Sequence, residues 1–429
     1  MRPSSTPVPS SAGYLRLVRE NANFRRLWGG NVVSLFGDWF NTIAIYELVK
    51  ALTGSELAIG LVFLTKMLPM ALVSPIAGVV VDRLNRRHVM IASDVIRAVL
   101  VLGFLLVDEA SDLWLIYTLT AAQIGASAFF FPAKSASLPN IVSKKDLLAA
   151  NALMSATWST MLALGAAAGG PAVEYFGLEA VFVFDALTYV VSAWFIWRTR
   201  IPQDTEAAER GVNPVTAGLK KIGEGWRYLR EHPPVGRMAL AKASWAIGGG
   251  APVFMLVLLG DLVLPAAPAI GYSILLAARG LGTGVGPIAA RAVFTDEARW
   301  PAVLGGCIGV SGLFYVGVGL APWSALAVVF ALVFLAHAAS GANWVLSTTL
   351  LQQRAEDRFR GRVFSTDWLL TTLAQSASIL AASLLLEADV LDLRSAILLS
   401  GAVCAAAGLL WLALVVPRER RSAQTSVRG

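Results

Sequence analysis

The sequence predicts an all-α membrane protein of twelve spanning helices arranged in two six-helix halves, and three observations carry that prediction. Of 429 residues, 56% are hydrophobic and only 15% charged, more apolar than a water-soluble domain tolerates. Apolar runs of spanning length recur from one end of the chain to the other. A single long polar stretch, residues 199–234, parts them six and six. Barrel strands would show short alternating segments instead of continuous apolar runs. In a bilayer each segment must satisfy its own backbone polar groups, which leaves helices as the spanning element.

Taken in order, residues 1–23 form a cytoplasmic N-terminal segment with no apolar core followed by a small-residue cleavage site, so no signal peptide is expected. The first half, 24–198, holds apolar segments at 24–49, 57–81, 88–107, 113–138, 148–176 and 179–198. The linker 199–234 repeats Leu219, Ile222, Trp226 and Leu229 at helical spacing beside Lys220, Lys221, Arg227 and Arg230. That pattern predicts a basic amphipathic helix lying along the inner leaflet, acting as a tether. The second half, 235–416, holds segments at 235–260, 268–290, 301–320, 323–350, 361–386 and 394–416, followed by a cytoplasmic tail over 417–429. Every segment is long enough to cross roughly 30 Å of hydrocarbon with some tilt.

Charge placement sets the topology. Of 35 Lys and Arg, 29 fall in the connections on one side of the predicted helices, Lys134 among them. The other side holds Lys50 and Arg394 with many acids, including Glu56, Asp108, Glu109, Asp112, Asp261, Glu387 and Asp392. Basic loops stay inside, so both termini of this multi-pass membrane protein are expected in the cytoplasm. The net charge of +7 is thus a topology signal, and nucleic acid is not an expected partner. Cys307 and Cys404 lie inside apolar runs, and His88, His232 and His337 are scattered, so no disulfide framework or metal site is expected. Gly280, Gly282, Gly284 and Gly286 precede Pro287 within an apolar segment, without a βαβ unit or a Walker lysine. They read as helix packing and not as a nucleotide loop. No cofactor is expected; the energy source would be a proton gradient. No nucleophile or catalytic set emerges, so the chain is not expected to be an enzyme.

The loop after the second segment reads Gly78-Val-Val-Val-Asp82-Arg83-Leu-Asn85-Arg86-Arg87. It resembles the G-x-x-x-D-R-x-G-R-R signature of the major facilitator superfamily, with Asn85, which tolerates a left-handed backbone, in place of the second glycine. Further stretches resemble the bacterial branch that includes macrolide efflux pumps, the enterobactin exporter and lysophospholipid transporters: Asn23-Phe24-Arg25-Arg26-Leu27-Trp28, Phe131-Pro132-Ala133, Ala150-Asn151-Ala152-Leu153 and Arg360-Gly361-Arg362-Val363-Phe364-Ser365. The resemblance implies that Asp82 sits against the start of the eleventh helix near Gly361. Arg83, Arg86 and Arg87 would then ion-pair across the cytoplasmic face, latching an outward-facing state. Gly165, Gly169, Gly170 and Pro171 resemble the glycine-proline motif of facilitator antiporters, although Val173 and Glu174 follow where that motif has two more glycines.

Ionisable residues inside a bilayer are costly and therefore candidate functional groups. Asp38 and Lys66 fall at similar depth on adjacent antiparallel segments and are expected to pair, with Asp38 as the proton-coupling carboxylate. Asp94 and Arg97 are three apart and can pair within one helix. Lys242 and Asp367 lie at comparable depth, and Arg279 would face a cavity or find an acid. In facilitator folds helices one, four, seven and ten enclose the central cavity. On that resemblance Asn41, Gln123, Trp245, His337, Asn343 and Trp344 are candidate lining residues. The expected function is proton-driven export of amphipathic small molecules by alternating access. A lysophospholipid transporter with weak proton dependence is the alternative, and a non-transporting receptor or scaffold a more distant one. Membrane lipid is the expected surrounding, and a monomer the expected state.

Overall fold

The computed structural model describes residues 11–143, 145–203 and 214–428. Their regular structure is helical throughout. The first half comprises α1 (Ser11–Glu20), α2 (Ala22–Thr53), α3 (Glu56–Arg83), α4 (Arg86–Leu102), α5 (Leu113–Ile141) and α6 (Leu147–Trp197). The connection is α7 (Pro214–Glu231). The second half comprises α8 (Pro233–Gly249), α9 (Ala251–Val263), α10 (Pro268–Val293), α11 (Trp300–Leu320), α12 (Leu326–Arg354), α13 (Asp357–Glu387) and α14 (Leu393–Arg428). Parts of the predicted N-terminal segment and linker, residues 1–10 and 204–213, lie outside the described residues.

Helix ends follow local chemistry. The Asn21 side chain accepts the Phe24 N–H to start α2, which stops at Gly54, where φ is 62° and the amide donates to the Lys50 carbonyl. A left-handed stop of that kind favours glycine. The expectation of a left-handed Asn85 is corrected: its backbone is extended (φ −64°, ψ 113°), and its side chain accepts from the His88 N–H. An asparagine that N-caps the following helix turns the chain without a positive φ.

Among the described residues eleven helical stretches are long and apolar enough to cross a membrane, against the twelve segments expected. The difference lies in α6, which joins the predicted segments 148–176 and 179–198 into 51 residues. At about 1.5 Å per residue that is more than twice a bilayer core. Its helical course breaks at Gly177, where φ 80° and ψ 169° are not helical. The predicted segment 235–260 is instead divided at Gly250 into α8 and α9. Pro252 at the start of α9 cannot donate to the helix ladder, and beside it the Ala251 N–H donates to the Ser378 hydroxyl at 3.1 Å. A buried donor at a helix break needs such a partner.

Leu72, Val99, Trp114, Phe176, Ile288 and Leu409 are among many large apolar side chains exposed on the outside of the bundle. An apolar belt of that extent suits lipid and not water. Inside, α2 packs along α6, α10 along α12 and α11 along α14; the halves meet where α6 runs beside α10 and α3 beside α13.

The two ends of the bundle differ. Far from the termini the halves are tied by Lys50 to Asp261 at 2.6 Å, and by the Glu387 carboxylate accepting from the Ser55 hydroxyl at 2.7 Å and the Leu57 N–H at 3.0 Å. At the end near the termini, α7 lies between the halves, against α3 and α13. There Glu224 pairs with Arg362 at 3.0 Å. Tyr228 stacks on Phe359 and accepts the Glu356 N–H at 3.1 Å. The expectation of a helix resting its apolar stripe on the leaflet therefore changes in part. Leu219 and Trp226 do face outward, while Leu229 is buried with Tyr228 against the bundle.

Candidate functional site

The first half encloses a polar chain that ends on a carboxylate. Asn41 on α2 donates to the Gln123 side chain on α5 at 3.2 Å. Gln123 donates to the Tyr189 hydroxyl on α6 at 3.0 Å, and Tyr189 donates to Asp38 on α2 through a very short contact. All three hydrogen bonds run in the direction of Asp38. Beside it Asp185 is fully buried, with Thr188 donating to Oδ1 at 3.3 Å and Oδ2 unpartnered. Gly37 makes room for this: a Cβ there would stand 2.4 Å from Asp185 Oδ1 and 2.2 Å from Thr188 Oγ1. Hence the approach of α2 and α6, and with it the meeting of Asp38 and Tyr189, depends on glycine at that position.

The predicted Asp38–Lys66 pair does not form. Lys66 donates to the Thr42 hydroxyl at 2.7 Å, and that hydroxyl donates to the Asp38 carbonyl at 2.7 Å. Equal depth does not fix the rotation of α2, and Lys66 meets the turn after Asp38. Asp94 and Arg97 are ion-paired within α4, both buried, with the Arg97 guanidinium over the Tyr189 ring at 4.3 Å and the Phe130 ring at 4.7 Å. Lys134, counted in the sequence among the loop cations, lies within α5 and donates to Asn31 at 2.5 Å.

The second half is arranged differently. Lys242 on α8 and Asp367 on α13 are buried and paired at 2.6 Å, with the ammonium 5.1 Å from the Trp344 ring centre. His337 on α12 bonds the Tyr315 hydroxyl on α11 at 2.6 Å. Trp245 donates to Ser311 at 3.0 Å, and Asn343 to the Ala241 carbonyl at 3.4 Å. Asn41, Gln123, Trp245, His337 and Asn343 are thus buried in contacts between helices. Trp344 meets Trp368 edge-on at 5.8 Å. Arg279 stands apart from these pairs. No acid bonds it among the described residues, its Nε is buried without a partner, and its electrostatic neighbours are the hydroxyls of Tyr272, Tyr315 and Tyr46.

A lipid-girdled bundle of two helical halves with charged cores has one decisive match: the profile of the Major Facilitator Superfamily covers residues 27–365. The chain belongs to the major facilitator superfamily. Its relatives are transporters. An uncharacterised facilitator-type transporter of Bacillus subtilis strain 168, YfiS, is 27% identical over 51% of this chain and 51% of its own length; the chain spans about half of that relative. The putative bacilysin exporter BacE of Bacillus subtilis is 27% identical over 80% of this chain and 84% of its own. Macrolide efflux protein A of Streptococcus pyogenes is 22% identical over 92% and 95%. Among solved structures, a bacterial homologue of the human lysosomal transporter Spinster in an inward-facing, unoccupied conformation superposes with TM-score 0.68 at 17% identity, covering 98% of each chain. The peptide-transporter-family protein PepTSo superposes with TM-score 0.72 at 13% identity, covering 94% and 99%. These two likenesses concern the fold.

In this facilitator the described contacts of the signature loop run to the first half and, at Gln203, to the start of the linker. Arg86 donates to the Ala136 carbonyl at 2.9 Å, and its N–H to Gln203 at 2.9 Å; Arg87 donates to the Trp197 carbonyl. Those carbonyls lie near the ends of α5 and α6, where cations are favoured by the helix dipole. Arg83 is also engaged. The side chain of Asp82 lies outside the described residues, and Gly78 and Gly361 have open space where a Cβ would stand. Of the helix-five residues, Gly165 and Gly169 face α2, while Gly170 faces α10 in the other half, ahead of Pro171. A Cβ on Gly170 would come within 2.4 Å of the Ala269 carbonyl oxygen.

Sequence reasoning missed Asp185, Tyr189, Thr42 and Tyr315. Asp185 had a signal, since it is an acid inside an apolar run. The others are neutral residues whose part depends on what they face.

Proposed function

We propose that this facilitator is a proton-coupled exporter of amphipathic small molecules, working by alternating access between its two six-helix halves. The reading takes α6 as two spans parted at Gly177, giving twelve, with both termini in the cytoplasm and the chain in a bacterial inner membrane. Export is favoured by the relatives described as a bacilysin exporter and a macrolide efflux protein.

The observation that carries proton coupling is the hydrogen-bond chain from Asn41 through Gln123 and Tyr189 to Asp38, with Asp185 beside it. Every donor in that chain points to a carboxylate, so its order depends on Asp38 being an acceptor. A proton on Asp38 removes the negative charge that strengthens the terminal bond and adds a competing donor, which loosens α2 from α5 and α6. Cargo acts on the same two-state element, which is the condition for coupling two ligands.

The test is uptake of macrolides and amphipathic dyes into inside-out vesicles, with and without a protonophore, comparing wild type with Asp38→Asn. Protonophore-sensitive accumulation that falls at least about tenfold in the variant is expected, a loss of about 1.4 kcal/mol of coupling. Wild-type accumulation in Asp38→Asn would sink the coupling role. Movement of lysophospholipid indifferent to the protonophore, with no uptake of the soluble compounds, would replace the reading with a lipid transporter.

A further inference from the structure

We propose that Arg279 anchors the cargo by an oxyanion, a carboxylate or phosphate carried on an amphipathic body, at the seam between the two halves. The inference rests on the exporter reading for the direction of transport and names the chemistry of what is carried.

The other cations within the predicted spans have partners. Arg97 has Asp94, Lys242 has Asp367, and Lys66 has the Thr42 hydroxyl. Arg279 stands near the middle of α10, and among the described residues it has neither an ion pair nor a hydrogen bond. A guanidinium at that depth is costly unless water or an anion meets it. Glu47, the acid next to Tyr46 on α2, is held by Lys50 at 3.1 Å. The groups that act on it electrostatically are instead hydroxyls: Tyr272 two turns back on its own helix, Tyr315 on α11, and Tyr46 from the other half. His337 is near as well, tied to Tyr315.

Those groups suit an oxyanion. The guanidinium fork matches two oxygens side by side, and neutral hydroxyls can donate to what remains. An aromatic wall continues from the same place: Tyr46 stacks on Phe63 with centroids 4.6 Å apart, Phe63 meets Phe254 at 6.2 Å, and Tyr46 meets Tyr272 at 5.8 Å. These rings are buried in the closed core, so an apolar body attached to the anion would meet them as the helices part. Because Tyr46 and Arg279 belong to different halves, an anion held between them favours the arrangement in which the far ends are closed.

The test is binding to the full chain in nanodiscs of neutral phosphatidylcholine, using dansyl-phenylalanine, its neutral amide and its phosphonate analogue. Wild type is expected to bind both anions at least about tenfold more tightly than the amide. In Arg279→Gln the preference disappears while amide binding stays. If that variant does not fold, Arg279→Lys decides, because a point charge without the fork weakens the acid several-fold and leaves the amide unchanged. The proposal is overturned by no anion preference in wild type, by no binding of either anion, or by a preference that survives in both variants. Displacement by lysophosphatidic acid alone assigns the oxyanion to a lipid headgroup, and displacement by a soluble N-acyl dipeptide alone assigns it to a small cargo; both uphold the anchor. Binding needs no gradient, so the two readings fail separately. Anion-selective binding without vesicle uptake would sink the exporter, and proton-driven uptake of neutral compounds without anion preference would sink the anchor.

Discussion

The two halves of the bundle handle buried charge in opposite ways. In the first, Asp38, Asp94 and Asp185 share their surroundings with Arg97, Lys66 and Lys134, and only Asp94 and Arg97 form a close ion pair. The remaining charges are held by hydroxyls and amides, as Asp38 is by Tyr189 and Lys66 by Thr42. In the second half Lys242 is closed on Asp367 and, at the end near the termini, Glu419 is closed on Arg237 and Arg354, while at mid-depth Arg279 has no acid among the described residues. A network of neutral donors around carboxylates tolerates a change of protonation, because no single partner is left as a bare charge. A closed ion pair does not tolerate it, and a lone cation invites an anion from outside. On the reading proposed above, the first half would handle the proton and the second the cargo.

The largest effect that tests this contrast comes from breaking the closed pair. Lys242→Met leaves Asp367 buried without its cation and is expected to cost about 3–5 kcal/mol, read as thermal unfolding in detergent. Lys242→Met with Asp367→Leu removes both charges and is expected to recover most of that loss. If the double variant is no better than the single, the pair is not an isolated structural unit.

Tyr189→Phe comes next. It removes the hydroxyl that joins Gln123 to Asp38, and a buried bond to a charged group lost in this way costs about 1.5–3 kcal/mol. The same unfolding assay measures it, and proton-driven uptake is expected to fall with it. Unchanged uptake would detach Tyr189 from the coupling chain.

Lys66→Met sharpens the point further. A direct Asp38–Lys66 ion pair would predict a penalty as large as that of Lys242→Met. The observed contact with Thr42 predicts about 1 kcal/mol, because the hydroxyl keeps its bond to the Asp38 carbonyl.

The smallest effect lies outside the membrane. The Ser143 hydroxyl, and then Arg16 at 2.8 Å, hold the Asp146 carboxyl below its ordinary range. A depressed carboxyl contributes its stability above the unfolded pKa, near 4, and loses it as pH falls through the folded value. Because the pair is solvent-exposed, Arg16→Ala is expected to change unfolding by less than about 1 kcal/mol at pH 7. The difference from wild type should vanish once the pH is well below 4. A larger change would mean that α1 contributes more to the bundle than its exposed contacts indicate.

Much of this protein was legible from residue order. Apolar runs, the placement of basic loops and the polar linker report on which segments can leave water, a property of local composition. The boundary at Gly177 was legible as the gap between the segments 148–176 and 179–198, whereas the break at Gly250 fell inside a run read as one span, 235–260. Asn85 was legible as a turn residue, and only the backbone showed that it turns the chain by capping α4.

What sequence by itself determined was which residues are forced into the membrane, and so which charges need an answer: Asp38, Lys66, Asp94, Arg97, Lys242, Arg279 and Asp367. Tertiary structure decided how each is answered. Depth along a helix follows from counting residues, but the partner depends on the helix's rotation and on how closely its neighbour comes. Gly37 lets α6 bring Tyr189 to Asp38 and Asp185 beside it. The packing of α8 on α13 closes Lys242 on Asp367, and among the described residues no helix brings a carboxylate to Arg279. Side-chain pairing is set by angles and approach distances of a few ångströms, and these exist only after the helices have packed.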